Sequence, residues 1–240
     1  MNRIILCFHH ELSRDFGLAG HLEYVLQRRA SIKDILEAHG VPHTEIGCLL
    51  ADTKEIGFEH VPAPGEKISI LPVKAPVNVS RPTLLRPVSY TEVKFIVDVN
   101  AGKLAMLLRM LGQDTLWSNS YRDRDVAELA AREQRIVLSK DRGLLKRKSI
   151  VHGRLIRASD PDQQLREVVE LYGLDTTCRF ARCLRCNKTL NPVPKSQILH
   201  RLQPKTRKYF DHFEICPGCG RIYWKGSHWE KMCTRISRFV

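Results

Sequence analysis

Two cysteine pairs, Cys183-Leu184-Arg185-Cys186 and Cys216-Pro217-Gly218-Cys219, constrain the fold most, because 29 residues separate them and both belong to one small segment. Each Cys-x-x-Cys knuckle offers two thiolates from a tight turn, and two knuckles together complete a tetrahedral four-cysteine site for zinc. Pro217, Gly218 and Gly220 favour the sharp backbone that the second knuckle needs. A redox dithiol is the rival reading for either pair alone. Residues 176–240 hold too few large apolar side chains for an independent core, so a metal staple is expected there. With all four ligands from protein, the zinc has no open position, and its expected role is structural rather than catalytic. The long gap between the knuckles is expected to carry a helical insertion over residues 195–209. Cys7, Cys48, Cys178 and Cys233 read as buried or incidental thiols.

Charge is distributed as unevenly as cysteine. The formal net charge is +13, yet residues 1–93 sum to −1, residues 94–175 to +3 and residues 176–240 to +11. A concentrated positive field attracts polyphosphates through Coulomb steering and counterion release. No basic amphipathic helix accompanies it, which argues against a membrane surface. No apolar run of 18 residues exists, and Met1–His10 lacks the cleavage pattern of a signal peptide, so no membrane span and a cytoplasmic location are expected.

The first 75 residues read as a compact α+β unit. Residues 3–8 form an apolar strand, and Ser31 caps a helix over 31–39 that carries Ile32, Ile35 and Leu36 on one face. Short strands follow near 47–50 and 67–72, the latter after the turn residues Pro62-Ala63-Pro64-Gly65. The segment Ser31-Ile32-Lys33-Asp34-Ile35-Leu36, the loop Ala63-Pro64-Gly65-Glu66 and the strand Ile68-Ser69-Ile70-Leu71-Pro72-Val73 resemble ubiquitin-like β-grasp proteins of the sulfur-carrier type. Such carriers end in a free Gly-Gly tail, whereas this chain continues as Lys74-Ala75-Pro76. The resemblance therefore implies a binding or scaffolding module, with a protein partner as one use of it, rather than sulfur transfer. Pro72, Pro76, Pro82 and Pro87 mark an extended linker over 76–93.

From 94 to 175 strands alternate with helices. Strands are predicted at 94–99, 114–118, 135–139 and 155–158, and helices at 104–111, 125–133 and 161–172, with a helix or turn from 143 to 147. That alternation argues for a parallel sheet with right-handed crossovers. Sites on such sheets lie beyond the carboxyl ends of the strands. Asp98, Asp141 and Asp160 each end a strand, and Asp123 or Asp125 reaches the same rim ahead of its helix. Each has an ordinary duty as strand end, turn former or helix cap. Several carboxylates on one rim repel one another unless a cation lies among them, and hard oxygen ligands suit Mg²⁺ or Mn²⁺.

The runs Val97-Asp98-Val99-Asn100, Gly102-Lys103-Leu104-Ala105, Leu108-Arg109-Met110-Leu111-Gly112 and Leu138-Ser139-Lys140-Asp141-Arg142-Gly143-Leu144-Leu145 resemble the PIN-like RNase domain at the C-terminus of the Mut-seven exonuclease family. The resemblance implies a Rossmann-like α/β nuclease whose aspartates hold a catalytic metal. By it, Asp98 and Asp141 map to acidic active-site positions, with Asp123, Asp125 and Asp160 following less securely and Glu128 as the nearest mid-helix glutamate. The stretch from Cys219 to Trp229 resembles the tail of the same family.

Lys103, Arg109, Lys140 and Arg142 stand beside these acids in sequence and are expected to contact phosphates. Arg185, Lys205, Arg207, Lys208 and Lys225, interleaved with aromatics such as Trp224 and accompanied by His228, suit RNA, where cations meet phosphates and unpaired bases stack. The expectation is thus a β-grasp domain (1–75), a linker (76–93), a PIN-like nuclease domain (94–175) and a basic zinc ribbon (176–240). Its expected activity is metal-dependent cleavage of RNA, with a structured RNA such as tRNA as the substrate that the spread of charge suggests. The alternative is a non-catalytic RNA-binding adaptor on the same scaffold.

Overall fold

The computed structural model describes residues 2–177 and 179–239, which leaves Cys178 outside the described residues. The first module is built from β1 (Arg3–Phe8), α1 (His10–Phe16), β2 (His21–Val25), α2 (Ile32–Ala38), β3 (Ile46–Ala51), β4 (Lys54–Glu55) and β5 (Lys67–Pro72). Its sheet runs in the order β2-β1-β5-β3-β4, with β1 and β5 parallel at the centre and the other pairs antiparallel. This is the mixed sheet of a β-grasp unit. Alternation decides the faces: Ile4, Leu6, Ile68 and Ile70 point into the core, where Ile32, Ile35 and Leu36 of α2 cover them. Ser31 caps α2 as expected, its hydroxyl accepting the Asp34 N–H at 3.2 Å. Sequence reasoning missed α1 and β2. Leu12 and Phe16, one helical turn apart, are the buried face of α1, and the alternate residues Leu22 and Tyr24 pack inward from β2. The register irregularity between Ile46 and Cys48 requires Gly47, because a Cβ there would collide with the Pro72 carbonyl.

The second module alternates as predicted: β6 (Phe95–Val97), α3 (Gly102–Met110), β7 (Thr115–Leu116), α4 (Asp123–Glu133), β8 (Ile136–Ser139), α5 (Arg142–Leu145), β9 (Gly153–Leu155) and α6 (Pro161–Tyr172). All strands are parallel, in the order β7-β6-β8-β9. Both faces of the sheet are buried, which is why its strands are continuously apolar. Phe95, Val97, Ile136 and Leu138 pack with Leu104, Leu108, Leu165 and Val168 of α3 and α6. Ile96 and Val137 belong to the opposite cluster, with Val126 and Ala130 of α4, and that cluster is continuous with the core of the first module.

The seam between the two modules is also polar and specific. Glu45, only 1% exposed, accepts the Leu155 N–H at 2.8 Å, Arg154 at 3.0 Å and Arg157 at 2.7 Å. The Lys146 ammonium donates to the Glu37 carbonyl at 2.6 Å. Residues 73–94 have no helix or strand, but Val79, Leu85 and Tyr90 are buried, and Arg86 donates to the carbonyls of Thr44 and Ile46 at 2.9 Å each.

His152 lies in this seam, 5% exposed, with its ring 4.6 Å from Tyr90. Burial, aided by the nearby Arg86 charge, pulls its pKa down to about 4 from an ordinary 6.5. The unfolded chain therefore binds the extra proton between those values, so stability falls as pH drops from 6.5 towards 4 and is unaffected by this group above 6.5. The expected loss is about 3 kcal/mol, from the size of the shift. Urea melts of wild type and His152→Gln at pH 7 and pH 4.5 check this: the variant should lose distinctly less stability, and equal losses would exclude His152 as the source.

The last part contains β10 (Asn191–Val193), α7 (Lys195–Ile198), α8 (Pro204–Tyr209), β11 (Phe213–Ile215), β12 (Ile222–Tyr223) and α9 (Ser227–Ile236). The strands form an antiparallel meander, β10-β11-β12. The expected helical insertion is present as α7, a 3-10 turn over Leu199–Arg201, and α8. The long terminal helix α9 was not predicted. It buries Ile236 in the core shared by α3 and α6, and Arg235 clamps Asp162 at 2.6 and 2.8 Å. No helix among the described residues is long and apolar enough to cross a membrane.

Candidate active site

The strand order places a topological switch at the centre of the parallel sheet. From β6 the chain crosses to β7 on one side, then α4 carries it to β8 on the other. The two crossovers pack on opposite faces of the sheet, α3 on one and α4 on the other, which puts the switch point at the carboxyl ends of β6 and β8, where sheets of this kind carry their sites. Asp98 follows β6 and Asp141 follows β8.

Asp98 is 3% exposed, and its own backbone holds it there, since its N–H continues the ladder to the Leu138 carbonyl at 3.0 Å. Oδ1 accepts the Val99 N–H at 2.6 Å, and Oδ2 accepts the Ser139 hydroxyl at 3.0 Å and the Asn100 amide at 3.3 Å. The Ser139 Oγ in turn accepts the Asp141 N–H at 2.9 Å. One buried hydroxyl thus ties the two acidic strand ends together. Asp141 is exposed and caps α5, Oδ1 accepting the Gly143 N–H at 2.6 Å. Trp117 braces the same rim: a Cβ on Gly102 would lie 2.6 Å from its ring, so only glycine lets α3 start directly after the Asp98 turn.

The remaining acids have mainly architectural partners. Asp160 caps α6 by accepting the Asp162 and Gln163 N–H groups at 3.0 Å each, and Asp125 accepts the Arg122 N–H at 2.9 Å ahead of α4. Asp123 starts α4 and is half-buried, and Glu128 is exposed and paired with Arg124 at 2.6 Å. Among the described residues no three carboxylates bring their oxygens within 4.8 Å of one another. The Ser139 hydroxyl links Asp98 to the Asp141 backbone, while Asp123, Asp125 and Asp160, like Asp141 itself, lie at helix starts.

The basic residues divide likewise. Lys103, Lys140 and Arg142 are exposed. The guanidinium carbon of Arg142 lies 4.9 Å from the centre of the Phe16 ring, and that of Arg157 lies 5.3 Å from the same ring, so α1 of the first module reaches the rim. Arg109 overturns the sequence expectation. It is 3% exposed and donates to the Thr115 carbonyl and to the carbonyls of Leu184 and Arg185, all at 2.9 Å. Its donors are spent on backbone in the interior, so it fastens α3 to the first cysteine knuckle and does not face phosphates.

Cys183, Cys186, Cys216 and Cys219 bring their sulfurs within 4.8 Å of one another. The Cys183–Cys219 and Cys186–Cys216 separations are 3.6 and 3.2 Å, close to the spacing around one tetrahedral ion. Burial opposes ionisation of Cys183, yet the Tyr223 hydroxyl 3.1 Å away and backbone N–H donors bring its thiol down to about 6. A cluster of this kind is consistent with a zinc ribbon. The first knuckle is seated on the sheet edge by Asn187, whose amide accepts the Thr115 N–H at 3.0 Å and donates to Asp114 at 2.9 Å. Burial disfavours the Asp114 charge, but hydrogen bonds from Arg135 and Asn187 hold its carboxyl below the usual range. Arg185, Lys205, Arg207, Lys208, Trp224, Lys225 and His228 are all exposed around the ribbon.

The model of the Mut7-C RNAse domain matches residues 93–236, and that of the Mut7-C ubiquitin domain matches residues 1–78. The chain belongs to the Mut7-C RNAse domain family. Comparisons with curated proteins and with solved structures give no match. The family points to a nuclease acting on RNA, and its ubiquitin and RNAse models meet the two sheets described above in the same order.

Ser139, Asn100 and Trp117 are the site residues that sequence reasoning did not single out. The signal for Ser139 was present: a hydroxyl closing an otherwise apolar buried strand needs a partner. His9, His10 and Glu11 were also passed over, and their ligand atoms lie within 4.8 Å of one another at the start of α1.

Proposed function

We propose that the chain is a metal-dependent ribonuclease whose active site lies at the carboxyl ends of β6 and β8. The observation that carries the reading is the Asp98–Ser139–Asp141 chain at the topological switch point. Two carboxylates plus waters suit a small hard cation such as Mg²⁺ or Mn²⁺, which seldom takes an all-protein cage. Asp98 and Asp141 would hold it, and when bound it lowers the pKa of a water and offsets charge on the phosphodiester oxygens. Ser139 fixes the Asp98 carboxylate in one orientation, and Asn100 donates to the same oxygen. Lys103, Lys140 and Arg142 are exposed, lie close in sequence to the same two strand ends, and would position flanking phosphates. Asp123, Asp125 and Asp160 contribute negative potential from the helix starts. The four cysteines hold zinc as a structural ion, and the basic ribbon holds RNA, with tRNA as a structured substrate to test.

The test is cleavage of end-labelled total RNA and tRNA by the full chain in Mn²⁺, compared with Asp98→Asn. The variant should lose about a thousandfold in rate, the equivalent of about 4 kcal/mol of transition-state stabilisation. RNA binding by the variant should persist. Binding without cleavage by either protein would make the chain an RNA-binding adaptor instead.

A further inference from the structure

Beside the ribbon lies an open groove of about 1570 Å³ whose lining includes none of Asp98, Ser139 and Asp141. It is larger than the roughly 300–1,000 Å³ of small-molecule clefts, so it suits an extended ligand. Its lining is largely apolar and includes the aromatic side chains Phe180, Trp224 and Trp229 together with the cations Arg179, Arg185 and Lys225. The Phe180 and Trp229 rings are 5.6 Å apart, and the Lys225 ammonium lies 5.5 Å from the Trp229 ring centre. The lining acids are Asp211 and Glu214, and Asp211 is already neutralised by Lys195 at 2.7 Å.

Resting on the ribonuclease reading, we propose that this groove binds an unpaired stretch of the RNA substrate, its bases stacked on Trp224 and Trp229 and its phosphates facing Arg179, Arg185 and Lys225. Charge complementarity favours a polyanion over an apolar peptide. The aromatic lining favours a single strand over a duplex, whose base faces are hidden by stacking on one another. Helix α9 lines the groove with Trp229, Met232 and Cys233, and Arg235 near its end fastens it to Asp162 at the start of α6. On this reading the ribonuclease prefers RNA that carries an unpaired segment.

The test uses full-length protein carrying Asp98→Asn, so that RNA is not consumed, and fluorescence anisotropy with a labelled oligouridylate of about 12 nucleotides, near the upper site sizes of single-strand binders. A blunt RNA duplex of equal length is the comparison. The single strand should bind more tightly, and Trp224→Ala or Trp229→Ala should weaken it roughly tenfold to a hundredfold, the scale of losing one stacked base. Duplex binding should change less than threefold. Trp229→Phe should restore most of the loss, and Lys225→Gln, an exposed change that leaves the fold intact, should weaken the single strand as well. Equal affinity for both RNAs, or tryptophan variants that bind the single strand as before, would overturn the groove. If wild-type protein cleaves RNA in an Asp98-dependent way while these variants bind normally, the ribonuclease stands and the groove fails. If the variants lose binding but no protein cleaves, the groove stands and the ribonuclease reading fails.

Discussion

Cys216→Ser should strip the metal from the ribbon and unfold residues 182–223 while the two larger sheets survive. Cys216 and Cys183 are essentially without exposure, and little else holds this part together. Its apolar residues form two small clusters, one of Leu190 around the cysteines and one of Ile198, Leu202 and Phe213. Neither offsets the ordering entropy of a segment this long. A structural zinc contributes on the order of 10 kcal/mol in small ribbons and fingers, far more than those clusters supply. Metal analysis should fall from one zinc per chain to none. Amide exchange should lose protection across the ribbon and at Thr115, whose N–H depends on Asn187, while β6 and β8 stay protected. A metal-free variant with a fully protected ribbon would show that the metal is dispensable for folding.

Glu45→Ala should destabilise the chain by about 3–5 kcal/mol, the usual effect of removing one member of a buried charge cluster. The carboxylate satisfies a buried backbone N–H and two guanidinium groups at once. Its removal leaves Arg154 with Glu167 at 3.0 Å and Arg157 with Asp15 at 3.4 Å, so part of the charge remains compensated. The Leu155 N–H, an amide inside the seam, loses its acceptor outright. Calorimetry should show a lower melting temperature and a transition that broadens or splits as the two modules lose their shared contacts. A change below about 1 kcal/mol, the scale of an ordinary surface substitution, would mean that apolar contacts alone hold the seam.

Periodicity alone located most of the large elements. The alternation of apolar strands and amphipathic helices over 94–172 has a direct cause, since both faces of β6 and β8 are buried and both periods are strong. The cysteine spacing was equally readable, because two knuckles have few ways to be satisfied. Short elements were harder. Only Leu12 and Phe16 mark α1, and β2 has two inward side chains, too few for a periodic signal. Arg109 misled for a different reason. Sequence shows a cation beside acidic residues, whereas its role depends on carbonyls 75 and 76 residues away. Ser139 and Glu45 share that difficulty, as their partners are brought near only by the completed sheet. Local chemistry pointed to the acidic residues, but that Asp125, Asp141 and Asp160 each accept backbone N–H groups at a helix start, and that Ser139 links Asp98 to the Asp141 backbone, appears only in the folded chain.

The seam around Glu45 bears on how such chains can diversify. Half of it is written in residues 43–46 of the ubiquitin-like module and half in residues 150–157 of the nuclease module, more than a hundred positions later. A recombination event that swapped one module for a relative's would inherit an acid without its arginines, or the arginines without their acid. The two halves are thus expected to be inherited as a unit, with changes on one side compensated on the other. Modularity visible in the order of the domains is in this respect opposed by the chemistry between them.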